Sequence, residues 1–198
     1  MSEFTALREA SLTVAERLRA AFLADAQLNP LFAAGGHVVS LRTPKEMRTV
    51  QPNQVGLSVW LYMVEGNEFL HNRPPERIDS FHTRRAPLPV NLHYLMTPIT
   101  NDPATEQLVL GKVLQVLHDD AFFLPAPARP ELRDELRISL ERVDLESITR
   151  VWSALDEPYQ LSVSYIVQVV NIESGLEPVN GAPVLQKLSD YQQIVGTP

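Results

Sequence analysis

Sixteen prolines punctuate this chain of 198 residues. Proline has no backbone N–H and a fixed φ, so it is kept out of helix interiors and central strands. The proline-free stretches 1–29, 53–73, 104–124, 131–157 and 159–177 therefore delimit the expected regular elements. Within them the apolar period changes from helical to alternating, which separates helices from strands.

The first stretch has a helical period: Leu7, Val14, Leu18 and Phe22, joined by Phe4 and Ala21, fall on one face, and the helix is expected to stop near Pro30. Residues 37–42 read as a short strand behind the Gly35–Gly36 turn. In 54–66, Val55, Leu57, Val59, Leu61 and Met63 alternate with Gly56, Ser58, Trp60 and Tyr62, and the aromatics on the second face imply that both faces are covered. Residues 88–97 alternate again, with Leu88, Val90, Leu92, Tyr94 and Met96 against Asn91, His93, Leu95 and Thr97. Asp102 followed by Pro103 starts a helix. Its Leu108, Leu110, Val113, Leu114, Val116 and Leu117 surround most of the circumference and predict a buried element. Residues 135–143 alternate weakly, as a strand would. Asp144 caps a helix through Leu155, with Glu146 in its first turn. The last strand spans 159–172, with Leu161, Val163, Tyr165, Val167 and Val169 on one face and Ser162, Ser164, Ile166, Gln168 and Val170 on the other, less buried one.

This order predicts an α+β fold, a mainly antiparallel twisted sheet with helices packed on it. Residues 1–172 form its domain and 173–198, with three glycines and three prolines, an extended C-terminal arm. A net charge of −7 and the lack of any Lys/Arg run argue against nucleic acid or a membrane surface as direct partner. The chain has no cysteine, which removes disulfides, thiolate metal sites and a cysteine nucleophile. The N-terminus does not read as a signal peptide, so synthesis and folding in the cytoplasm are expected.

His93 has no nucleophile or carboxylate at a recognisable spacing and reads as a sheet or interface histidine. His118, Asp119 and Asp120 end a helix and point apart, so they read as a helix terminus and not a metal site. His37, His71 and His82 do not form a pair one helical turn apart. Ser162 and Ser164 read as strand residues, and Trp60, Tyr62, Trp152 and Tyr159 as core and edge packing. No cofactor, metal or catalytic residue is expected. The loop 73–85 stands out, because Arg73, Arg77, Arg84 and Arg85 sit on a proline-stiffened segment, and arginine suits contact with carboxylates at interfaces.

"FLHNRPPERIDSFHTRRAPLPVNLHYLMTPI" (69–99) resembles the hallmark segment of the cap, or tube-terminator, proteins of phage-tail-like contractile injection systems. The matching positions are Asn72, Arg73, Pro75, Arg84, Arg85, Pro87, Leu88, Pro89, Leu92, His93, Tyr94 and Leu95. "LGKVLQVLHDDAFF" (110–123) resembles the family's buried helix. "ITRVWSALDEPYQLSVSYIVQVV" (148–170) is similar to its strongest signature, at Trp152, Ser153, Ala154, Leu155, Pro158, Tyr159, Leu161, Ser162, Val163 and Tyr165. The resemblance implies a tail-terminator-like fold and a ring, commonly a homohexamer, on the distal end of an inner tube, contacting tube and sheath proteins within an assembled bacterial particle. One departure is that many members carry a longer C-terminal extension associated with sheath contact, whereas this sequence ends soon after its last expected strand, which leaves the arm 173–198 to supply that contact. Asn72, Arg73, Arg77, Arg84, Arg85 and His93 are the expected protein-contact residues. The alternatives are a tail-completion or baseplate adaptor of the same particle, and a small-ligand-binding or enzymatic domain using His93 and Tyr94.

Overall fold

The computed structural model describes residues 4–33, 37–50, 55–70, 72–79, 81–123 and 136–180. Its framework is three long antiparallel strands, with β5 (Leu88–Ile99) between β2 (Val55–Gly66) and β8 (Val163–Ile172). β1 (His37–Ser40) joins β2 in parallel, β7 (Leu136–Leu140) joins β8 antiparallel, and β6 (Phe122–Phe123) closes the order β1-β2-β5-β8-β7-β6. Five helices complete the described fold: α1 (Ala6–Ala24), α2 (Asn29–Ala33), α3 (Pro44–Val50), α4 (Pro103–Asp119) and α5 (Leu145–Ala154). This is the expected α+β arrangement. Among the described residues no helix is long and apolar enough to cross a membrane.

The main core forms where α1 and α4 cover one face of the sheet. Ala10, Val14, Leu18 and Phe22 of α1 and Val109, Val113 and Leu117 of α4 pack against Leu57, Val59, Leu92, Met96 and Val167. Each large side chain buried this way contributes about 1.5–3 kcal/mol. Ser11 Oγ meets Tyr94 Oη at 2.8 Å, satisfying the one polar atom that Tyr94 brings into the core. Burial pushes that phenol up to about 12. On the opposite face, α5 lays Ile148 and Trp152 on Leu95, with Trp60, Tyr62 and Leu155 around them.

Both predicted helix caps form. The Asp102 carboxylate accepts from Thr105 N at 2.8 Å, and that of Asp144 from Ser147 N at 2.7 Å. α3 was not anticipated, although its start is a reciprocal cap: Thr43 N donates to Glu46 Oε2 at 2.9 Å and Glu46 N to Thr43 Oγ1 at 3.1 Å, with Pro44 at the first helical position. Prolines also lie inside β5, where Pro89 and Pro98 stand near its two ends, so the proline-free rule fails for this strand.

Several side chains differ from expectation. Phe4 is exposed, because the buried stripe of α1 runs through Ala6, Ala10 and Val14. Leu108 and Leu114 are partly exposed, so α4 is covered on one side only. A bulge at Tyr62 moves Met63 off the Leu57 face into register with His93, and Met63 is exposed. A second irregularity, between Val90 and Leu92, places Val170 in the main core. The side chain of Val169 lies outside the described set, as do Gly35, Gly36 and His71. Ser162 and Ser164 are buried, because α5 covers the face they occupy. Tyr159 and Leu161 precede the strand and are exposed.

Candidate docking surface

The arginine-rich segment between β2 and β5 is not a plain loop. β3 (Glu76–Arg77) pairs with β4 (His82–Arg84), and β9 (Val179–Asn180), from the C-terminal arm, pairs with β4 to make a second, three-stranded sheet. Asp79 shapes the hairpin. Its carboxylate accepts from Phe81 N at 2.7 Å and His82 N at 2.8 Å and lies 2.7 Å from His82 Nδ1. The Phe81 amide, then the His82 side chain, hold it below the usual carboxylate range.

The four arginines divide into two groups. Arg77 Nε donates to the Asp79 carbonyl at 3.3 Å, and Arg84 Nη1 lies 3.7 Å from Glu173 Oε2, so these two brace the small sheet and the start of the arm. Arg73 and Arg85 are exposed and, among the described residues, have no ion-pair partner. They line an open groove of about 580 Å³ walled by Pro75, Pro87, Leu88 and Ile172. Asn72 is exposed just before it.

Exposed apolar residues share this end of the molecule, and the sequence reading did not single them out. Asn67 is 8% exposed; it donates through Nδ2 to Asn91 Oδ1 and through its amide to the Pro89 carbonyl, and its Oδ1 accepts from the amides of Phe69 and Leu70. The turn so fixed presents Phe69 at 94% exposure, and Phe81, Ile78 and Val179 are exposed on the small sheet. The Gly66–Asn67 pair was the available signal, since asparagine directs such turns through its side chain. Arginine beside projecting aromatics is the composition of protein-contact surfaces.

His93 belongs elsewhere. It is 3% exposed and does not present a surface to a partner, which removes it from the contact set. Its Nδ1 lies 2.9 Å from Glu141 Oε1, and its Nε2 faces Glu65 Oε2 at 3.4 Å. The other oxygen of Glu141 accepts from Ser164 Oγ at 2.7 Å and Tyr62 Oη at 3.3 Å. Burial, more than the adjacent Glu141 carboxylate, pushes the Tyr62 phenol up. A serine prepared for attack hands its proton to an imidazole, whereas Ser164 donates to a carboxylate. The arrangement ties β2, β5, β8 and the segment after β7 together. Tyr94, the other residue considered for chemistry, is closed in the core on Ser11.

The model of the Pvc16 N-terminal domain family matches residues 10–186. No curated protein sequence matches the chain. The sheath/tube terminator of the extracellular contractile injection system PVC, in its extended state, superposes with a TM-score of 0.56 at 18% identity, over 81% of this chain and 57% of that one. The tube-terminating cap of the anti-feeding prophage superposes with a TM-score of 0.54 at 19% identity, over 77% of this chain and 54% of that one. The chain thus spans little more than half the length of these relatives, and at these identities the likeness is one of fold. With its family model matched over nearly the whole sequence, the chain belongs to the Pvc16 N-terminal domain family.

Proposed function

We propose that the chain is a structural cap of a contractile injection system. It sits as a ring, a homohexamer, on the distal end of the inner tube, stops tube growth and joins the last sheath layer. Residues 1–172 form the terminator domain and 173–198 an arm available to the sheath. The observation that carries this is the family match over 10–186, together with the shared fold of two proteins described as terminators. The role is non-enzymatic, with contact supplied by Arg73 and Arg85 and by the Phe69 turn. The protein is made in the bacterial cytoplasm and built into the particle there. Deleting the gene and measuring tubes by electron microscopy tests it. Over-long or uncapped tubes are expected. Tubes of normal length with intact ends would overturn the reading, and particles lacking baseplates would favour the adaptor instead.

A further inference from the structure

We propose that the arginine groove of one copy receives the Asp156–Glu157 turn of the next, joining copies head to tail. The proposal rests on the ring reading above and supplies its contact. The turn follows α5 and is fixed by its backbone: Asp156 N donates to the Ser153 carbonyl at 3.1 Å and Glu157 N to the Trp152 carbonyl at 3.3 Å. Trp152 itself is buried and donates through Nε1 to Ser162 Oγ at 3.3 Å. Asp156 takes φ +56°, a left-handed conformation that aspartate tolerates better than most residues. The backbone carrying both carboxylates is thereby fixed, Asp156 exposed and Glu157 half-buried, so little backbone entropy remains to be lost on docking.

The charges match locally. The Asp156 side chain is 96% exposed, and its internal partner is Lys45 Nζ at 3.2 Å, a surface pair of the kind that contributes little. Glu157 has no ion pair among the described residues. In the groove, Glu173 is taken by Arg84, which leaves the guanidinium forks of Arg73 and Arg85 for carboxylates from outside. Pro158 and the half-exposed Tyr159, next along the turn, meet proline walls.

A single chain cannot make this contact. The groove lies at the Leu88–Ile172 end of the β5–β8 ladder and the turn precedes Val163 at the Met96 end. At about 3.3 Å per residue these ends are roughly 25 Å apart. A contact between two different patches is heterologous, and copies joined that way close into a ring when the rotation permits.

The test uses the full chain and its native mass at low and high salt. Of two double variants, R73E/R85E changes exposed side chains and is expected to keep the wild-type melting temperature. D156R/E157R, at a left-handed position paired with Lys45 and at a half-buried one, is expected to stay folded with a melting temperature lower by a few degrees. In both, self-association falls roughly 100-fold. Mixed one to one, the two should assemble again, because each variant's altered patch then faces the other's opposite charge. The proposal is overturned if wild type does not self-associate, if either variant assembles like wild type, or if the mixture stays dissociated. Its failure is separable from failure of the capping reading, which is scored by tube length in cells lacking the chain.

Discussion

Gly56 stands where no side chain fits. It pairs with Val38 across the parallel β1–β2 ladder at φ +146°, and a Cβ there would overlap the backbone of Val38. Backbone on both sides leaves nothing flexible to give way. Gly56→Ala should therefore cost about 3 kcal/mol, read as a lowered denaturant midpoint. An unchanged midpoint would show that β1 does not lie this close to β2. The same scale separates groups that look alike in sequence. His93 and Arg85 both fall in the hallmark segment, yet one is enclosed by Glu141, Glu65 and Tyr62 while the other faces solvent. Residue type named the chemistry available. Only the strand register decided which of these groups another protein can reach.

At the scale of elements, features encoded by neighbouring residues were legible. Asp102–Pro103 and Asp144 announced α4 and α5 because a cap is a local hydrogen bond. α3 was equally encoded by Thr43, Pro44 and Glu46 but hidden by reading Pro44 as a breaker, when a first-position proline starts a helix. The bulge at Tyr62 and the irregularity beside Val90 left no trace, because the alternation of residue types runs through them unbroken and the shift is set only by pairing with a strand distant in sequence. The two-residue β6 is too short to carry a period. The caps also give a pH prediction. Asp102 is lowered first by the Thr105 side chain and Asp144 first by the Ser147 amide, both from 3.8. A carboxyl whose folded value lies below its unfolded one adds stability above the unfolded value, and loses it as pH falls through the folded one. Melting temperature should therefore decline below about pH 4, and less steeply in Asp102→Asn and Asp144→Asn, whose amide oxygens still accept the cap bond but no longer titrate. Identical slopes in wild type and variants would assign acid sensitivity to other carboxyls, Asp25 and Asp79 among them.

For the whole molecule, what matters is how the small sheet is fastened to the large one. The β3–β4 hairpin is inserted between β2 and β5, and β9 returns from the end of β8 to pair with β4 through His82–Asn180 and Thr83–Val179. Two rungs are a weak attachment. It is supplemented by Thr83 Oγ1 donating to the Val179 carbonyl at 3.3 Å and by the Arg84–Glu173 pair at 3.7 Å, whose side chains are 31% and 27% exposed. Adjacent arginines thus have separate duties, Arg84 holding the arm in place and Arg85 facing outward. Arg84→Gln should speed amide exchange across 173–180 while the global melting temperature barely moves, since a partly exposed pair contributes about 1 kcal/mol or less. Arg85→Gln should leave that exchange unchanged and weaken assembly. Hydrogen exchange read by mass spectrometry, beside native mass, separates the two outcomes. If both variants loosen the arm equally, the arginines act as one cluster; if neither does, the arm is held by its backbone ladder alone, and the groove keeps its shape without the Glu173 latch.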